Sequence, residues 1–134
     1  MYARLLPLLT FLIILSLGAA TTALGKTERP DDRSDVIKTT EWVATMLMNR
    51  EFDDLHQEFS ATLQVSLSIE KIEEVMDQVE RQIGTIESVG SARTRTLRGT
   101  PAGEVICRAE MGRLVVQVMF DGEEIEGLWV VPGK

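Results

Sequence analysis

The chain has 134 residues, with 14 Lys and Arg against 21 Asp and Glu, for a formal charge of −7. Nucleic acids and anionic lipid surfaces need a cationic footprint that displaces counterions, so this balance excludes both as partners. The single Cys, Cys107, excludes an internal disulfide, and the single His, His56, leaves few donors for a metal site or a catalytic triad; no cofactor is expected.

Residues 1–25 stand apart from the rest. Arg4 is the only charge among them, Leu5 to Leu17 is almost wholly apolar, and small residues follow from Gly18 to Ala23. That order predicts an export signal, cut after Ala20, Ala23 or Gly25 to leave a mature chain of roughly 110 residues. The competing reading is an uncleaved membrane anchor over residues 5–24; the Thr, Ser and Gly of its second half favour cleavage. Both readings place the working part outside the cytoplasm, secreted or periplasmic in one case and membrane-anchored in the other. No Cys follows the apolar run, so no acylated N-terminus is expected.

Residues 26–33 are polar, contain Pro30 and suit a linker. The remaining residues, 34–132, are of a length that folds around a single core. Asp32 or Ser34 caps a first helix, along which Val36, Thr39, Val43, Met46 and Leu47 recur at helical spacing beside Trp42, up to a break at Asn49-Arg50-Glu51. A short second helix sets Phe52, Leu55 and Phe59 on one face and Asp53, Asp54 and Glu58 on the other. After a connector, Ser68 caps a third helix, with Ile69, Ile72, Val75, Met76, Val79 and Ile83 on one stripe and Gly84 at its end.

Beyond Gly84 the period changes to alternation, and three turn signals divide the chain into four strands. They are Gly99-Thr100-Pro101-Ala102-Gly103, Met111-Gly112 and Asp121-Gly122. Pairing Glu110 with Arg113 and Phe120 with Glu123 gathers Val105, Cys107, Ala109, Leu114, Val116, Val118, Phe120, Ile125 and Trp129 on one core face. The other face carries Arg93, Arg95, Leu97, Ile106, Arg108, Val115, Gln117, Met119, Glu124, Glu126, Leu128 and Val130; Arg95 lies opposite Arg108 there, with Glu110 or Glu126, or an acidic group of a partner or ligand, as the anion between them. That is an unusually apolar set for a sheet face in water; either it is a contact surface, whose composition it has, or the sheet curls and the linker or connector covers part of it. Gly127 marks a bulge or bend. The expected fold is α+β, three N-terminal helices on one face of a curved four-stranded antiparallel meander.

Phe52 after the Asn49-Arg50-Glu51 break, Phe59-Ser60, Gly84 and the tail Ile125-x-Gly127-Leu128-Trp129-x-x-Pro132 carry a resemblance. Residues 34–132 resemble a bacterial domain family of uncharacterised function that often precedes an α/β-hydrolase domain and also occurs alone in exported proteins. That family is similar in fold to the nuclear-transport-factor-2-like and cystatin-like superfamily, which implies a cone-like half-barrel. Only two residues follow Pro132, so no hydrolase domain is expected after it. The resemblance also implies a concavity where a His or Asp can act as general base; His56 is the only His, and a boundary position beside Phe52 and Phe59 is its simpler role. No Tyr lies beyond Tyr2, so the phenolic donor of steroid-isomerase-like members is missing.

Three functions follow. The first is a non-enzymatic module that binds a partner or forms a homodimer through the outer sheet face, at Arg95, Arg108, Val115, Met119, Leu128 and Val130. The second is binding of a small apolar ligand, with or without catalysis, in the concavity near His56, Phe59, Val116, Phe120 and Trp129. The third, accessory service to a separately encoded hydrolase, comes from the resemblance alone.

Overall fold

The computed structural model describes residues 35–133. The leader or anchor read at residues 1–25 and the linker at 26–33 lie outside the described residues. Among the described residues four helices precede a five-stranded antiparallel open sheet, giving an α+β fold with the helices packed against the sheet. Helix α1 (Val36–Met48) is capped by Asp35 itself, whose carboxylate accepts the Lys38 amide at 3.1 Å, where the sequence places the cap at Asp32 or Ser34. It buries Thr39, Thr40, Trp42, Val43, Ala44, Met46 and Leu47. The Thr40 hydroxyl is satisfied within the helix, donating to the Val36 carbonyl at 2.6 Å.

Arg50 takes a left-handed φ of 59° at the corner after α1. Its guanidinium lies over the Phe52 ring and reaches Asp77 at 2.6 Å and Glu80 at 2.8 Å, which ties the corner to the long helix. Helix α2 (Phe52–Gln57) buries Phe52 and Leu55. Helix α3 (Ala61–Ser66) occupies the segment read as a connector, so three expected helices become four. It has no buried residue and therefore no apolar stripe to betray it; the Ser60 hydroxyl caps it, and the Gln64 amide bonds back to the His56 and Phe59 carbonyls. Helix α4 (Ile69–Ile83), capped by Ser68, buries Ile72, Met76, Val79 and Ile83. Gly84 ends it at φ 82° and ψ −171°, a backbone region that only glycine visits readily.

Five strands, β1 (Ile86–Val89), β2 (Arg93–Leu97), β3 (Thr100–Ala109), β4 (Gly112–Asp121) and β5 (Glu124–Gly133), replace the expected four. β1 and β2 share one edge of β3 end to end, because the chain kinks at Gly90-Ser91-Ala92 and the Ala92 amide is drawn to the Glu41 carboxylate of α1 at 2.8 Å. The β2–β3 turn is Arg98-Gly99, both at positive φ, and Pro101 sits inside β3 opposite Thr96. The β3–β4 turn falls one residue earlier than expected, with Ala109 opposite Gly112, and the β4–β5 turn one later, with Asp121 opposite Glu124. Each slip moves a pairing by two residues, so the core face of Val105, Cys107, Ala109, Leu114, Val116, Val118, Phe120 and Ile125 survives and all eight are buried.

Past Ile125 the expected face is wrong. Phe120 pairs with Ile125 while Met119 pairs with Gly127, so Glu126 is an extra residue and the alternation of β5 reverses. Leu128 and Val130 turn toward the helices and pack on the core, whereas Trp129 and Val131 turn outward and stay 45% and 52% exposed.

The α1–β3 contact is unusually close. A Cβ on Gly103 would stand 1.8 Å from the Thr40 hydroxyl oxygen, so the helix rests directly on the strand backbone. Gly103→Ala must push α1 off the sheet and is expected to cost about 3 kcal/mol, the upper range for overpacking. Urea unfolding measures this, and a midpoint equal to wild type would show that α1 does not sit there.

Candidate functional site

The sheet face opposite the helices is where this chain departs from a simple core-and-surface division. No described helix packs on it, and its side chains align in cross-strand rows. A middle row runs Arg93, Glu104, Gln117, Trp129 across β2 to β5. On one side of it lies the apolar row Ile106, Val115, Val131, and beyond that Arg108 opposite Arg113. On the other side lie Arg95, Ala102, Met119 and Gly127, and beyond them Asp121 opposite Glu124.

Trp129 covers Gly127. A Cβ there would lie 2.6 Å from the indole ring, so the glycine leaves a flat bed for it on the outer face. One ring face rests on the strand, with Met119 beside the same spot, and the rest meets solvent. Ile106, at 45% exposure, and Val131 extend the apolar surface.

Glu104 is the buried charge of this face, 5% exposed. Its Oε1 accepts two bonds from Arg93, and its Oε2 accepts the Arg95 guanidinium and the Gln117 amide, both at 2.8 Å. The Gln117 amide and the Arg93 and Arg95 guanidinium groups hold its carboxyl below the usual carboxylate range, against the upward push of burial. The sequence reading set Arg95 opposite Arg108 and sought an anion at Glu110 or Glu126. Instead Arg95 lies opposite Ala102, Arg108 lies opposite Arg113, and the anion is Glu104. Its position was readable from alternation along β3, but the misplaced turn hid its two arginines. Glu110 serves the backbone, accepting the Thr85 amide at 2.7 Å, which lowers its pKa.

Of the expected contact residues, Arg95 and Arg108 are exposed on this face and Val115 and Met119 are half-buried on it. Leu128 and Val130 are on the helix side. There they help line an apolar cleft of about 200 Å³ between α4 and β5 with Leu47, Ile72, Val75 and Met76. Of the residues expected in the concavity, Trp129 borders this cleft; Phe59, Val116 and Phe120 are buried in the core. His56 is half-buried, 3.1 Å from the Gln64 carbonyl and edged against the Phe59 ring.

Burial pushes the Cys107 thiol up to about 11, so it stays protonated at neutral pH and is a poor nucleophile. Among the described residues no group of three or more His, Cys, Asp or Glu could hold a metal ion, and no helix is long and apolar enough to cross a membrane.

Because the folded pKa of Glu104 is depressed, its contribution to stability is full above about pH 5 and is lost as pH falls through the lowered value. Glu104→Gln removes that contribution and leaves two arginines without their anion, which is expected to cost about 2 kcal/mol at neutral pH. Melting curves taken from neutral to acid pH should show the wild-type advantage shrinking toward the acid end; a constant gap would sink this assignment. Compared with protein-family models, curated proteins and solved structures, the chain matches none.

Proposed function

We propose that this chain is an exported, non-enzymatic contact module, carried out of the cytoplasm by residues 1–25 and docking a protein surface on its open sheet face. The observation that carries this reading is the apolar row Ile106, Val115, Val131 beside Trp129, left in solvent on the side away from the helices. Aromatic and β-branched side chains framed by arginines are the composition of an interface centre and its rim. The half-barrel relationship of residues 34–132 belongs to the same proposal and is supported by the order of elements, helices before an antiparallel sheet.

Photo-crosslinking in cells that express the whole chain tests it. A benzophenone side chain at position 131 or 106 should give covalent protein adducts, and Trp129→Glu should abolish them. The same group at Gln78, on the solvent side of α4, should give none. Equal labelling from all three positions, or none from the sheet face, would refute the reading.

The cleft between α4 and β5 favours a second reading, capture of an apolar ligand. Its lining residues are all apolar, and about 200 Å³ accommodates the end of an acyl chain or one ring. A saturating medium-chain fatty acid should raise the melting temperature by about 5 °C or more, and Val75→Trp, which fills the cleft, should erase that shift. No shift across a panel of fatty acids, sterols and aromatic acids would set this reading aside.

A further inference from the structure

The two ends of the open face carry opposite and internally unfavourable charge. Arg108 stands directly across from Arg113 at one end, and Asp121 directly across from Glu124 at the other. Like charges in cross-strand register repel. Among the described residues none of the four has an ion-pair partner. Arg93 and Arg95 are different, since both are ion-paired to Glu104 within the chain. The face is therefore dipolar along its strands, cationic at the β3–β4 turn end and anionic at the β4–β5 turn end, with the apolar rows between.

We propose that the surface this face docks is the same face of a second copy, stacked with strands antiparallel so that Arg113 of each copy meets Asp121 of the other. The inference rests on the contact-module reading and names its partner. The residue spacing on β4 supports it: Arg113 and Asp121 are equidistant from Gln117, four residues to each side. A two-fold axis lying across the strands over Gln117 superposes the cationic end of one copy on the anionic end of the other, at both ends at once. It also lays the Ile106, Val115, Val131 row on the partner's Ala102 and Met119 row and brings the two indoles together near the axis. In the middle row Glu104 accepts from Arg93, Arg95 and Gln117, so its carboxylate needs no partner across the interface, and the one net positive charge of the cluster stays in water at the β2 edge. Stacking with strands parallel would set arginine on arginine and is repelled.

The chain-wide charge points the same way. From Val36 to Ile83, over the helices, there are four basic and ten acidic residues, while from Val89 to Gly133 there are five basic and six acidic. Two copies therefore repel through their helical sides and not through their sheets. Four strands at ~4.8 Å spacing and nine residues at ~3.4 Å offer roughly 600 Å² per copy. That falls short of the ~800 Å² of a standard interface, so the dimer should be weak and salt-sensitive.

Sedimentation equilibrium on the protein as the cell accumulates it, from micromolar to sub-millimolar concentration, is the test. The wild type should dimerise reversibly, and more weakly at high salt. Arg113→Glu and Asp121→Arg should each weaken the dimer about tenfold, and the double variant should return to within about threefold of wild type. Circular dichroism on each variant checks that the fold is retained, and recovery in the double variant is itself proof of folding. A dimer that the single variants weaken without recovery in the double, or that none of them touches, overturns the antiparallel arrangement and leaves the contact face standing. A monomer at every concentration, with crosslinks at position 131 persisting to another protein, overturns the second copy as partner. The loss of both dimer and crosslinks removes the contact reading itself.

Discussion

The extra residue at Glu126 decides what each side of β5 is for. Were the strand regular from Ile125 onward, Trp129 and Val131 would enter the core and Leu128 and Val130 would meet water. With Met119 opposite Gly127 and Phe120 opposite Ile125, the alternation is broken once and reversed for the rest of the strand. Two features follow from that single insertion. Leu128 and Val130 line the cleft against α4, and Trp129 and Val131 join Ile106 on the opposite surface. Gly127 makes the reversal sterically tolerable on the outer side, since the indole occupies the space that any side chain there would need.

Glu104 shows how a strand whose outer face is otherwise half apolar can hold a charge. A carboxylate at 5% exposure would be expensive to bury alone. Two guanidinium groups and one carboxamide give it four hydrogen bonds, and both arginines keep substantial contact with water. The cluster joins β2, β3 and β4 by side chains on the face away from the helices. It leaves one net positive charge, screened by solvent, and no polar atom of the carboxylate waiting for an outside partner.

Much of this was legible in the residues, for reasons specific to each element. The stripe of Ile72, Met76, Val79 and Ile83 and the terminal glycine mark α4 because amphipathic spacing and a chain-reversing residue coincide there. The core face of β3 and β4 was recoverable despite two displaced turns, since a hairpin that slips by one turn residue keeps its parity. Helix α3 was not legible, as only Leu63 packs partly against the core and the helix is held by Ser60 and Gln64 bonds that leave no periodic trace. The division of the first strand into β1 and β2 depends on Glu41, some fifty positions away, reaching the Ala92 amide. Gly127 did announce a bulge, but a bulge acts on every residue after it. That consequence for Leu128, Trp129 and Val130 requires knowing which residue is the insertion.

A sheet offers two surfaces for association, its edges and its open face, and the chain treats them differently. The β5 edge is blunted at its start, where residues 58–60 run alongside Ile125 and bond to both its amide and its carbonyl. It is interrupted by the bulge at Glu126, and near its end Pro132 has no amide to offer an incoming strand. A short covering segment, a bulge and a proline are the devices by which sheets suppress strand addition. None of them protects the face. There Ile106, Trp129 and Val131 remain open, and the like-charged pairs stand at the two ends instead of among the apolar rows. The proposed contact face is thus open where the β5 edge is shielded, and the two like-charged pairs at its ends would give docking on it a direction.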